Sequence, residues 1–233
     1  MAQPTGRHTV DLWSLHEDVL VEADETGEDL VLRGRLGTER VRRPGPLIRE
    51  ALRRMELGPV LLANIDDRSE GTESAGGTYL VVLPTLRALS HLIVRTLGMI
   101  TDRNGPLLSV SARSRHAVFT PVGVPDRRLL RLPGGVSLTL EKAGFVLEAV
   151  GSPHRVQLHR PEAVWVVGLL AWPITPDAAS AALPLPAEVT KAILEYLAAA
   201  GMVAPVRDEE QDWAAAPAEG DPGAFSSRGN PGA

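Results

Sequence analysis

Histidine and carboxylate side chains are the residues best suited to metal binding or proton transfer, and their spacing in this sequence predicts neither. The six histidines are residues 8, 16, 91, 116, 154 and 159. None of them has the His-x3-His spacing of a helical metal site, and His154 and His159 lie five apart on a predicted strand, so they face opposite sides. No phosphate loop, nucleophile elbow or dinucleotide fingerprint occurs. We therefore predict that the chain is not an enzyme by itself.

The composition excludes several further classes of protein. The 233 residues include no cysteine, which excludes disulfide scaffolds, zinc ribbons, thiol catalysis and iron–sulfur clusters. A formal charge of −5 argues against nucleic acid as the main partner. The longest apolar run, 163–172, is much shorter than the roughly 20 residues of a membrane span, and the N-terminus has no apolar signal core. We expect a cytoplasmic protein without a membrane partner.

The first half of the chain has the pattern of a small sheet followed by helices. Alternating apolar residues indicate the strands, Gly-rich segments indicate the turns, and apolar residues at helical spacing after a proline indicate the helices. The predicted elements are a hairpin (13–35), a third strand (39–43), helices over 46–55, 60–65 and 84–97, and a flexible surface loop (66–77).

The second half repeats this order. Its predicted elements are strands over 136–141, 145–149, 155–158 and 202–206 and helices over 161–171, 176–182 and 186–200. At an offset of 115 residues without a gap, Leu30-Val31-Leu32 aligns with Phe145-Val146-Leu147, and Arg40-Val41 aligns with Arg155-Val156. The repeated order of turns, strands and proline-led helices predicts an internal duplication.

Two further features of the second half concern its core and its junction with the first. The helix over 161–171 is apolar nearly all round, so we expect it to be central, with Trp165 and Trp172 in the core. Short strands over 107–112 and 117–122 lie between the two copies and either extend one sheet or join the two.

Three strands followed by three helices are typical of a winged-helix-like module. The sequence therefore predicts an α+β protein with two tandem winged-helix-like modules, each of three short strands and three helices. The first module spans 9–100 and the second 105–206. The acidic, Ala-, Pro- and Gly-rich residues 207–233 are predicted to form a disordered tail.

The second copy resembles a known family along most of its length. The matching segments are Gly144-Phe-Val-Leu-Glu148, Ser152-Pro-His-Arg-Val-Gln-Leu-His-Arg-Pro161 and Leu194-Glu-Tyr-Leu-Ala-Ala-Ala-Gly-Met-Val203, with Ser14–Asp18, Leu30–Gly34 and Arg49–Arg54 in the first copy. They resemble the N-terminal half of the SagB-type azoline dehydrogenases, in which two PqqD-like precursor-peptide recognition modules precede an FMN-binding nitroreductase-like domain. Only 27 residues follow Val206, and their composition cannot form that domain. We therefore expect no cofactor in this chain and FMN only in a partner subunit.

The resemblance implies that the chain recognises the leader of a ribosomally made precursor of an azole-containing peptide. Such modules bind the leader as an added strand on the third strand, facing the third helix. The residues placed there, on the edges 39–43 and 155–158 and on the helices 84–97 and 186–200, are Arg40, Val41, Arg42, Arg43, Arg87, Arg95, Arg155, Val156, Gln157, Leu158 and Lys191. Acidic leaders would suit the cluster of Arg40, Arg42 and Arg43. The resemblance also implies a flavin dehydrogenase, a cyclodehydratase or another maturation enzyme as a partner, and a homodimer.

Two alternatives remain open at this stage. The three arginines are also compatible with a solvated strand edge that is protected from aggregation. A winged helix also suggests a DNA-binding regulator, but its recognition helix, 186–200, offers one lysine, Lys191, between Glu188 and Glu195. Because each carboxylate repels phosphates, we expect nucleic acid to be an unlikely partner.

Overall fold

The computed structural model describes residues 9–65, 74–100 and 105–206, and these residues form an α+β protein with antiparallel sheets. In chain order, the strands are β1 (Thr9–Leu15), β2 (Leu20–Ala23), β3 (Leu30–Gly34), β4 (Gly37–Val41), β5 (Ile93–Met99), β6 (Leu108–Ala112), β7 (Leu130–Arg131), β8 (Val136–Glu141), β9 (Gly144–Ala149), β10 (His154–Leu158) and β11 (Ala204–Pro205). The helices are α1 (Pro46–Leu57), α2 (Ser74–Ala88), α3 (Pro161–Leu169), α4 (Pro176–Ala182) and α5 (Ala187–Ala199). Among these helices, none is long and apolar enough to cross a lipid bilayer.

Three sheets organise the described strands. A three-stranded sheet has the order β2-β3-β4, a six-stranded sheet has the order β1-β5-β6-β10-β9-β8, and β7 pairs with β11. Because β5 and β6 are neighbours, the division predicted between residues 100 and 105 falls inside one sheet. The strand expected over 107–112 therefore joins the two halves. The strand expected over 117–122 is wrong, because that segment has no ladder partner.

The same order of elements occurs twice along the chain. A hairpin, a third strand, a proline-led helix, a short helical segment, a longer helix and a final strand follow one another in each half. Pro46 and Pro161 occupy the first turns of α1 and α3, where the missing N–H costs no hydrogen bond. An isolated bridge between Trp13 and Val60 has its counterpart between Leu130 and Ile174.

The predicted alignment of the two halves without a gap is wrong. Leu30 pairs with Val41 in the first half, whereas Phe145 pairs with Leu158 in the second. The structural counterpart of Val41 is therefore Leu158 rather than Val156. The reason is the turn, because two residues join β3 to β4 and a longer segment joins β9 to β10.

The helix expected over 84–97 is wrong. Helix α2 ends at Ala88, a 3-10 turn follows over Ser90–Leu92, and β5 begins at Ile93. Leu86, Leu89 and Leu92 are all buried, so their helical spacing reflects a common core across two different elements. The loop expected over 66–77 lies outside the described residues up to 73, and from Ser74 the chain is helical. The tail expected over 207–233 also lies outside them.

Each half contains its own hydrophobic core. The first is centred on Leu32, Leu52, Met55 and Leu86, and the second on residues such as Leu147 and Ile193. In β3, Leu30 and Leu32 point into the core while their neighbours do not, which is the alternation of a strand with one buried face. The core placement of Trp165 and Trp172 is wrong, because their side chains are 45% and 72% exposed.

Candidate functional site

Strand β4 is a free edge of the three-stranded sheet. It pairs with β3 on one side, and no backbone hydrogen bond among the described residues reaches its other side. Alternate residues of an antiparallel strand bond to the partner. The Asp24 N–H donates to Asp29 O at 3.1 Å, so Asp29 and every second residue after it form their backbone hydrogen bonds with β2. The residues between them, starting with Leu30, therefore form theirs with β4. Thr38 and Arg40 of β4 therefore direct their N–H and C=O groups outward.

One face of β4 points toward the core. Val41 and Glu39 lie opposite the buried Leu30 and Leu32, and Val41 packs against the first core. The Glu39 carboxylate lies 2.8 Å from the guanidinium of Arg115 and 3.4 Å from Nε2 of the buried His91. Burial lowers the pKa of His91, against the opposing effect of Glu39. Because the lowered pKa leaves His91 uncharged at neutral pH, the ion pair of the Glu39 carboxylate is with the exposed Arg115.

The arginines of the opposite face are mostly paired. Arg40 bonds to Asp29 at 2.7 Å and Asp24 at 2.8 Å, and Arg43 lies 3.2 Å from Glu28. Hydrogen bonds, first from the Arg43 N–H and then from Arg40, lower the pKa of Asp29. These groups border a cleft of about 430 Å³ lined by Asp24, Thr26, Glu28, Asp29, Arg40, Arg42 and Arg43. Three acidic residues balance three arginines, so this cleft gives no support to long-range attraction of an acidic leader.

The second expected edge, 155–158, is not free. Strand β10 pairs with β9 on one side and with β6 on the other. Val156 and Leu158 are buried in the second core, and Arg155 lies 2.5 Å from Glu141 of β8. The prediction that Arg155, Val156, Gln157 and Leu158 form an open edge is therefore wrong, because a segment of the same chain already occupies that edge.

The structure places the three cations that are predicted on the third helices in different surroundings. Arg87 is exposed in the last turn of α2. Arg95 belongs to β5 rather than to a helix and is 6% exposed, so it cannot contact a docked peptide. Lys191 of α5 lies 2.5 Å from Asp126, which raises the pKa of the amine.

Arg95 belongs to a buried polar group that the sequence does not reveal. Its Nε donates to Asp11 at 3.2 Å, its guanidinium carbon lies 3.5 Å from the centre of the Trp13 ring, and Tyr196 also donates to Asp11. The Tyr196 ring lies 5.1 Å from that of Phe119. Because Tyr196 comes from α5 and Asp11 from β1, this cluster connects the two halves.

A second surface that sequence reasoning missed lies beside β8, the last strand of the six-stranded sheet. The exposed Leu140 of β8 borders an apolar groove of about 310 Å³. The groove is lined by Leu140, Gly144, Phe145, Leu158, His159, Arg160, Pro161, Val164 and Trp165. Alternating apolar residues in 136–141 predict a strand, but they do not tell that this strand lies at an edge.

A cluster of histidine and carboxylate side chains could hold a metal ion. In residues 9–65, 74–100 and 105–206, no group of three or more His, Asp or Glu side chains is arranged to hold a metal ion. No protein-family model and no curated protein matches the chain.

Proposed function

We propose that this chain is a non-catalytic recognition protein that binds the leader of a ribosomally made, azole-containing precursor peptide. The leader pairs with β4 as an added strand. The single observation that carries the proposal is the unpaired outer side of β4, where Thr38 and Arg40 offer N–H and C=O groups to an extended chain. Backbone hydrogen bonds supply affinity there, and Val41 and Glu39 supply contacts that set the register.

The tandem arrangement supports this proposal. We interpret the two repeated sets of elements as two winged-helix-like, PqqD-like modules that are joined through the six-stranded sheet. A flavin-dependent azoline dehydrogenase, which would carry the FMN, or a cyclodehydratase is the proposed enzymatic partner in the cytoplasm. The chain would bring the precursor to that enzyme, and a homodimer would present two such edges.

The observations favour a peptide over DNA. A DNA-binding face needs cations that are free to contact phosphates. In this protein Arg40 and Arg43 are paired with carboxylates, and Lys191 of α5 is paired with Asp126. A free backbone edge has no corresponding use in reading a DNA groove.

Titration of the full chain with a labelled leader from its own biosynthetic cluster tests the proposal. We expect saturable binding that Thr38→Pro weakens at least tenfold, because proline removes an outward N–H. The matched control, Thr38→Ala, keeps the N–H and should bind like the wild type. Circular dichroism checks that both variants are folded. Failure of the leader to bind, or equal binding by folded Thr38→Pro, would contradict the proposal.

A further inference from the structure

The structure contains a segment already docked on the counterpart of β4. Strand β6 lies antiparallel to β10, with Leu108 opposite Leu158 and Val110 opposite Val156. Flanking backbone bonds extend the pairing, because the His159 N–H donates to Leu107 O at 3.0 Å. The side chains of Leu108, Val110 and Ala112 are buried, so β6 acts as an internal ligand that fills the second edge.

Strand β4 has the same position in the first half as β10 has in the second. Val41 lies opposite Leu30 as Leu158 lies opposite Phe145, which makes Glu39 the counterpart of Val156. In this register, Thr38 and Arg40 correspond to Arg155 and Gln157, two of the residues that face β6. If a peptide docks on β4 in the way that β6 docks on β10, the pairing defines which peptide residue lies opposite each residue of β4.

We propose that β4 binds an extended peptide antiparallel to itself, with an aliphatic residue opposite Val41 and a cationic residue opposite Glu39. This inference rests on the proposed function and adds the direction, register and chemistry of the ligand. The aliphatic position corresponds to Leu108 of β6, which lies opposite Leu158 of β10 and whose side chain is fully buried. Because directly opposed side chains share one face of a sheet, the residue opposite Val41 would extend the same apolar surface.

The cationic position follows from Glu39 and its present partner. Arg115 lies 2.8 Å from Glu39, and its guanidinium carbon lies 3.7 Å from where a Cβ on Gly37 would stand. It therefore covers the face that a docked residue would use. The Arg115 side chain is 58% exposed, so its ion pair with Glu39 stabilises the protein little, and a ligand cation can replace Arg115. An apolar ligand residue would leave the carboxylate unpaired.

Three labelled peptides test this inference on the full chain. Each has the sequence of residues 105–113, and they carry Val110→Arg, Val110→Glu, or Val110→Arg together with Leu108→Ser. We expect the arginine peptide to bind at least tenfold more tightly than either of the others, and Thr38→Pro to weaken it. Glu39→Lys should reverse the preference between arginine and glutamate, and Glu39→Gln should abolish it. The matched control, Glu22→Lys on β2, should change neither the affinity for the arginine peptide nor the preference for arginine over glutamate.

The outcomes separate this inference from the proposed function. Equal affinity for the three peptides, or a preference that persists in folded Glu39→Lys and Glu39→Gln, would overturn the inference. If the leader still binds at β4 in that case, the proposed function stands without the predicted ligand chemistry. If neither the leader nor any peptide responds to Thr38→Pro, both are wrong.

Discussion

At the scale of single residues, the buried Arg95 pairs with Asp11, whose side chain is 38% exposed. These residues are 84 positions apart, and Arg95 stacks on Trp13 while Tyr196 donates to the same carboxylate. Sequence reasoning cannot find such a pair, because its members belong to distant elements and neither sits in a motif. The leucine spacing therefore predicts Arg95 on a helix that faces the leader, whereas the structure places it on β5, with its guanidinium over the Trp13 ring.

The Asp11 pair gives a stability prediction. Asp11→Ala leaves the buried Arg95 guanidinium without its carboxylate, so we expect the free energy of unfolding to fall by about 2 kcal/mol. The comparison is Glu22→Ala, which removes an exposed ion pair with Arg33 and should cost less than about 1 kcal/mol. Urea unfolding measures both. Equal losses in the two variants would show that the pair of Asp11 and Arg95 does not stabilise the junction of the halves.

At the scale of elements, the sequence predicts the strands of each hairpin and the proline-led helices well. Strand β8 and helix α4 have the predicted bounds, because strict alternation in one case and Pro176 after the capping Thr175 in the other are local signals. The end of α2 has no such signal. Leucines that satisfy a helical period continue into a strand, and only tertiary packing distinguishes the two.

The direction of backbone groups in β4 gives a second stability prediction. Val41 bonds toward β3 and Thr38 points outward, so proline affects the two sites differently. We expect Val41→Pro to lower the free energy of unfolding by about 2 kcal/mol and Thr38→Pro by less than about 1 kcal/mol. Urea midpoints of the two variants and of Val41→Ala and Thr38→Ala provide the comparison. A larger loss for Thr38→Pro would mean that the alternation assigned to β4 is reversed.

At the scale of the whole molecule, the two repeats are unequal in a way that composition and spacing do not reveal. The offset between the halves is visible in the sequence, but the pairing of β6 with both β5 and β10 is not, because a short apolar strand fits many neighbours equally well. That pairing joins β1 and β5 of the first half to β10, β9 and β8 of the second in one six-stranded sheet, and it fills one of two equivalent edges. The other edge, β4, has no backbone partner among the described residues, and we propose that a peptide pairs with it.

The most direct test of this account is amide hydrogen exchange of the full chain with and without the leader peptide, measured residue by residue by NMR. We predict that Thr38 and Arg40 exchange rapidly in the free protein and become protected when the peptide binds. Glu39 and Val41 already donate to β3, so they should be protected in both states. Protection that arises instead along β8, or none along β4 at saturating peptide, would contradict the assignment of β4 as the recognition edge.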